Sequence, residues 1–191
     1  MEKITYGIKN LMYAKKTVGE NGQVSFAKPV AIPGAYEISL PTVGDTTKVY
    51  ADNITYAKIP ANQGYDGSFG CYGLPETFQK DILGYEEDAN GVLVEKAGAV
   101  CSEFALLGEF NTDTEKTKKW VLYNCSAKRP EFGGETKQEN ITAKQVSVPI
   151  VASPLEGTDE LIKATIVGDK DNTVWANWFN NVYMPNENAS V

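Results

Sequence analysis

Histidine is absent from all 191 residues. Its absence excludes Ser–His–Asp and Cys–His chemistry and removes the commonest metal ligand. Cysteine is scarce and scattered: Cys71, Cys101 and Cys125 form an odd set with no CxxC pair. That argues against a disulfide framework or a zinc site and for free thiols buried in a reducing compartment. Long apolar runs are missing too. The first ten residues hold no stretch of signal-peptide length and nothing is long enough to span a bilayer, so the expectation is a soluble protein made in the cytoplasm, with no membrane partner. Positive charge is in short supply, with 18 Lys and Arg against 25 Asp and Glu and a net charge of −7. A protein that grips phosphates needs clustered cations to displace counterions, so sequence-specific DNA binding is not expected. Two local basic pairs, Lys15–Lys16 and Lys118–Lys119, read as solvated strand ends.

What is present has ordinary globular proportions, 42% hydrophobic and 23% charged, so a folded core is expected rather than global disorder. The length suits one domain, or one domain with an inserted loop or terminal arm. The dominant period is two. Tyr36, Ile38 and Leu40 alternate with Glu37 and Ser39, and Val146, Val148 and Ile150 alternate likewise, with Pro149 marking an edge or bulge. Residues 120–125 read as a strand covered on both faces. Further strands are expected at 4–8, 11–15, 24–27, 49–59, 91–95, 104–110 and 161–167. Turn pairs such as Asn21-Gly22, Pro33-Gly34 and Asn90-Gly91 separate them. This spacing predicts an antiparallel sandwich or barrel. One short helix is expected over 75–83: Pro75 suits its first position, Glu76 complements the positive end, and Gly84 can terminate it. Leu74, Phe78 and Ile82 would share one face. A weaker helical pattern joins Trp175, Trp178, Phe179 and Val182.

Candidate sites read mostly as architecture. Residues 86–91 resemble the start of a calcium loop, but the twelfth position is Ala97 where a bidentate Glu is required, so an acidic hairpin turn is the better reading. Gly64, Gly67, Gly70 and Gly73 recur every three residues without the Lys-Ser/Thr of a phosphate loop, and read as bends or close backbone approaches. Trp120, Trp175 and Trp178 suit core packing or subunit contacts better than a carbohydrate platform. No catalytic, cofactor-binding or metal-binding residue is assigned, and no enzymatic activity is expected.

Taken in order, several segments resemble the major tail proteins of long-tailed, non-contractile bacteriophages of mainly Gram-positive hosts. They are Tyr6-Gly7-Ile8-Lys9-Asn10-Leu11-Met12-Tyr13-Ala14, Ile32-Pro33-Gly34-Ala35, Tyr50-Ala51-Asp52-Asn53, Asn62-Gln63-Gly64-Tyr65-Asp66-Gly67, Leu74-Pro75-Glu76, Gly91-Val92-Leu93-Val94-Glu95, Phe104-Ala105-Leu106, Trp120-Val121-Leu122-Tyr123-Asn124 and Arg129-Pro130. The series runs from about residue 6 to about residue 166. It implies a mainly β tail-tube sandwich over 1–168 with an extended loop within about 24–48, followed by a C-terminal segment, 169–191, as a candidate arm. It further implies a structural virion protein: stacked hexameric rings, a tape-measure protein in the lumen during assembly, connector and baseplate proteins at the ends, DNA only in transit, and assembly in the host bacterial cytoplasm. The motif positions Gly34, Tyr50, Asp52, Asn53, Gly64, Tyr65, Gly67, Leu74, Pro75 and Gly84 would be architectural. Ile32, Pro33, Gly34, Tyr36, Pro41 and Gly44 are the candidate inter-ring arm, with the polar loop 128–140 as a second candidate. A single-ring connector or baseplate component, a carbohydrate-binding sandwich and a carboxylate hydrolase remain the alternatives.

Overall fold

The computed structural model describes residues 4–51, 54–134, 143–157 and 159–185. In chain order the strands are β1 (Thr5–Val18), β2 (Val24–Phe26), β3 (Val30–Ala31), β4 (Ala35–Ser39), β5 (Thr42–Val43), β6 (Thr46–Ala51), β7 (Ile54–Pro60) and β8 (Gly64–Cys71), then the helix α1 (Glu76–Asp81). They are followed by β9 (Glu86–Glu87), β10 (Leu93–Val94), β11 (Phe104–Thr112), β12 (Thr117–Ala127), β13 (Val146–Ser153), β14 (Lys163–Gly168) and the single-turn α2 (Thr173–Ala176).

Ten strands form one antiparallel sheet ordered β2-β1-β11-β12-β13-β8-β4, with β14 on β12, β3 on β1 and β5 on β8. The two expected layers are therefore parts of one curled sheet. Its branch point is β12: residues 117–122 pair with β14, and residues 124–127 pair with β13. The inward side chains meet in one core, with Leu11 and Tyr13 from β1, Phe104 and Leu106 from β11, Leu122 from β12, Phe69 from β8 and Ile150 from β13. The strands expected at 4–8 and 11–15 are a single one, β1. Two register shifts interrupt it, between Tyr6 and Ile8 and between Lys9 and Met12. At the second, Asn10 sits at φ 52, a left-handed conformation that Asn tolerates better than most residues. Its amide donates to Glu109 Oε2 at 2.8 Å.

The helix closes one end of the curled sheet. It spans six residues, shorter than expected, with Pro75 at the N-cap and Ile82 at the C-cap. Its central ring is Phe78, fully buried and edge-on to Tyr13, Phe69 and Phe104 at centroid distances of 5.0, 5.9 and 5.6 Å. Ile82 and Leu83 are buried beside it, and Leu74 is half-buried against the same core. This geometry favours the aromatic quadrupoles as well as burial.

Strands β11 and β12 are covered on both faces, as expected for 120–125. Their outer face carries Ala105, Leu107, Val121 and Tyr123, roofed by Leu155 and Trp178. The C-terminal segment thus lies on the sheet through Met184. Asn172 caps α2, its Oδ1 accepting from Trp175 N at 3.1 Å. The acidic stretch at 86–91 forms the expected hairpin, with β9 against β10 and Asp88 accepting from the amides of Asn90 and Val92. All three cysteines are free; Cys71 and Cys125 are buried, and burial pushes the Cys125 thiol up to about 12. Among the described residues, no helix is long and apolar enough to cross a membrane.

Phe78→Ala removes the ring that three others pack against. The expected cost is about 3–5 kcal/mol of unfolding free energy in urea titration. A loss below about 1 kcal/mol would mean that the helix does not close the core.

Candidate functional site

Two features at the end opposite α1 stand out. The first is a projecting ribbon. Strands β5 and β8 pair at Thr42↔Tyr65 and Val43↔Gly64, after which the chain leaves the main sheet. Beyond Gly44, β6 and β7 continue as a separate two-stranded sheet, from Thr46↔Pro60 to Ala51↔Ile54. Its base needs glycine twice. Gly44 lies at φ +136 and Gly64 at φ +107, and a side chain at either would run into the carbonyl of Ala61 or of Ala152. On the ribbon Tyr50, Ile54 and Tyr56 are 65%, 65% and 74% exposed, so the described residues of their own chain leave them largely uncovered. Single exposed apolar residues are ordinary; three large ones on one short projection mark a contact surface.

The second feature is a groove of about 650 Å³ between the start of β1 and β4, where the main core is left open. Tyr6, Ile8, Ile38, Leu40, Phe110 and Trp120 line it. Trp120 stacks on Phe110 at 5.7 Å and 29°, and its Nε1 is buried with no acceptor among the described residues. At the lip, Lys163 Nζ donates to the Tyr65 hydroxyl at 2.7 Å.

A third cluster holds the C-terminal segment. Strand alternation places Lys9, Glu109 and Lys119 side by side across β1, β11 and β12. Lys119 is buried, donates to the Trp175 carbonyl at 2.9 Å, and lies 3.4 Å from the Trp175 ring centroid and 4.7 Å from that of Phe179. Burial pushes its pKa down, which the Glu109 charge opposes and Lys9 reinforces. Burial pushes the Glu109 carboxyl up, but the nearby Thr117 hydroxyl, the hydrogen bond from Asn10 and the charges of Lys9 and Lys119 outweigh it and hold it below the usual glutamate range. Two further indole and phenol contacts pin the segment: Trp178 Nε1 to the Trp120 carbonyl at 3.4 Å and the Tyr123 hydroxyl to the Tyr183 carbonyl at 2.8 Å. Lys119 is therefore no solvated strand end, because the aromatic segment covers its face of the sheet. Lys16 departs from that reading too, with Nζ donating to Glu103 at 2.7 Å and Asn124 at 3.0 Å.

The residues singled out in the sequence fall into two groups. Gly64, Tyr65 and Gly67 lie on β8, with Gly64 and Tyr65 at the ribbon's base and Tyr50 on the ribbon itself. Leu74, Pro75 and Gly84 surround α1 at the far end, and the Gly34 carbonyl accepts from Tyr72 N at 3.1 Å. Asp52 and Asn53 lie outside the described residues, as do residues 135–140 of the polar loop 128–140. About half of the stretch 24–48 is paired into β2, β3, β4 and β5. Ile32 is buried with its amide bonded to the Leu11 carbonyl, Tyr36 packs on Tyr72 at 5.1 Å, and the Pro41 carbonyl accepts from Asp66. Pro33 is exposed in the turn between β3 and β4, and Gly44 alone of this set lies where the ribbon begins. Sequence reasoning read 49–59 as one strand; the turn-forming Asp52-Asn53 pair between two apolar runs was the signal for a hairpin. The Glu109–Lys119 pairing and the groove left no such mark.

The architecture is that of a mainly β structural subunit. A family model described as phage tail tube protein matches residues 1–156. The chain belongs to the phage tail tube protein family, a structural family, and is a component of the virion tail. No curated protein matches it. Among solved structures it is similar to a chain described as the anti-feeding prophage cap, a tube-terminating cap solved by cryo-EM, at 11% identity over 87% of this chain and 95% of that one, with a TM-score of 0.41.

Because folding lowers the Glu109 pKa, its ionised form contributes stability above the unfolded-state pKa, and this is lost as pH falls through the lower folded value. Glu109→Gln should therefore unfold more easily than the wild type at pH 7, with the gap closing below about pH 4. Thermal unfolding across that range checks it; a gap independent of pH would refute the linkage.

Proposed function

We propose that the chain is the major tail tube subunit, assembling into hexameric rings that stack into the conduit for DNA ejection. The observation that carries this reading is the family match over most of the chain. Physical features support it. The main sheet ends in free edges at β2 and β4, and a closed ring pairs such edges with neighbours and removes the hazard of uncontrolled strand pairing. Stacking is a heterologous, open association, so length must be set from outside, the role of a tape-measure protein in the lumen. Connector and baseplate proteins would cap the ends, and synthesis and assembly would take place in the host bacterial cytoplasm. The net charge of −7 suits a lumen poor in cationic anchors, through which phosphates slide. Residues 1–185 form the ring-building body in this reading, with the C-terminal segment part of it.

The inter-ring arm is the ribbon over residues 44–62, not the stretch 32–44. Removing 32–44 would take out Ile32 and the whole of β4, and so damage the body. Replacing residues 46–60 with a short Gly-Ser turn should leave a soluble protein whose melting temperature moves by only a few degrees, since the described strands of this stretch pair only with each other. That variant should form no polymers.

Negative-stain electron microscopy of the purified wild type tests the function itself. Stacked rings or tubes are expected. Isolated closed rings would indicate a connector or baseplate component, and monomers would overturn the tube.

A further inference from the structure

The ribbon and the groove are complementary surfaces that one copy cannot bring together. From Thr42 at the ribbon's base to Ala51 near its tip, the strand reaches at most about 30 Å. The base itself adjoins the groove, since Leu40 and Tyr65 line it. The tip thus stands away from its own groove, and the exposure of Tyr50, Ile54 and Tyr56 agrees.

The groove is an unfinished core. At the α1 end, the same sheet is sealed by fully buried Phe78, Ile82 and Leu83. At the groove end, Ile8, Ile38, Leu40 and Phe110 stay only partly buried, Tyr6 is 57% exposed, and the indole N–H of Trp120 has no acceptor among the described residues. Buried donors are nearly always satisfied, so one without a partner points to a contact still to be made nearby. The volume falls within the range of ordinary binding pockets.

We propose that the ribbon tip of one copy, through Tyr50, Ile54 and Tyr56, seats in the groove between β1 and β4 of another. The proposal rests on the tube-subunit reading and adds the receptor surface to it. Tyrosine suits the site on both counts, with a large ring for the apolar walls and a hydroxyl for the polar lip. Because tip and groove are different patches of one chain, the contact is heterologous and propagates, with successive copies offset by roughly the reach of the ribbon, about 30 Å.

The test places the photo-crosslinking amino acid p-benzoylphenylalanine at position 56 in the full chain. The protein is irradiated under assembly conditions, products are mapped by mass spectrometry, and the same sample is viewed by electron microscopy. Crosslinks from position 56 of one copy to residues 5–8, 36–40 or 118–122 of another support the proposal. Polymers with crosslinks elsewhere, or with none, overturn the groove while leaving the tube intact. Groove crosslinks in soluble oligomers without polymers support the contact and count against stacked rings. Neither polymers nor groove crosslinks would overturn both. In parallel, Tyr50→Ser combined with Tyr56→Ser should leave the circular dichroism of the subunit unchanged and raise the critical concentration for assembly by about tenfold or more. An unchanged critical concentration would contradict the seat.

Discussion

A sheet that curls around its own core has two ends that its strands cannot close, and the described residues of this chain close only one of them. The closure depends on Phe78. Three rings, from β1, β8 and β11, meet it edge-on, so strands far apart in sequence are held to one point by a six-residue helix. A helix that short has little stability of its own, and its order comes from this burial. The opposite end keeps an apolar groove and sends out the ribbon. The molecule is thus polarised, with a finished end and an end whose chemistry calls for something more.

The second constraint lies in β12. Its inner face supplies Trp120 and Leu122 to the main core, while its outer face supplies Lys119, Val121 and Tyr123 to the layer under the C-terminal segment. The aromatic roof of Trp175, Trp178 and Phe179 is hydrogen-bonded and stacked onto this strand, with the buried ammonium of Lys119 donating to the Trp175 carbonyl under the influence of the Glu109 charge. Removing that ammonium's partner would leave a buried charge uncompensated, which argues for a positioning role: it fixes where the segment lies. One strand therefore couples the groove floor to the outer layer.

Much of this was legible from local chemistry. The alternation at Tyr36–Leu40 and Val146–Ile150, the Pro75 start and the Leu74–Phe78–Ile82 stripe report period and capping, which act over a few residues. Phe78 could be recognised as buried but not as the closure, because Tyr13 and Phe104 lie on strands 65 and 26 residues away in sequence. Lys119 resembled any charged residue near a strand start until the C-terminal segment, more than 50 residues later, was seen to cover it. The stretch 24–48 looked like a loop because β2, β3 and β5 are only two or three residues long, too short to show a period. The ribbon was read as one strand because apolar residues continue through both arms and only two residues separate them in sequence. Sequence order located the family series, and long-range pairing decided what each part does.

The central claim is that these subunits stack through the open end into a tube. Helical reconstruction by cryo-EM of the assembled protein tests it most directly. The account predicts rings of six subunits, with density for the ribbon over 44–62 crossing from one ring to the next. Rings that stack with that ribbon turned to solvent, or a particle that never progresses beyond one ring, would contradict it.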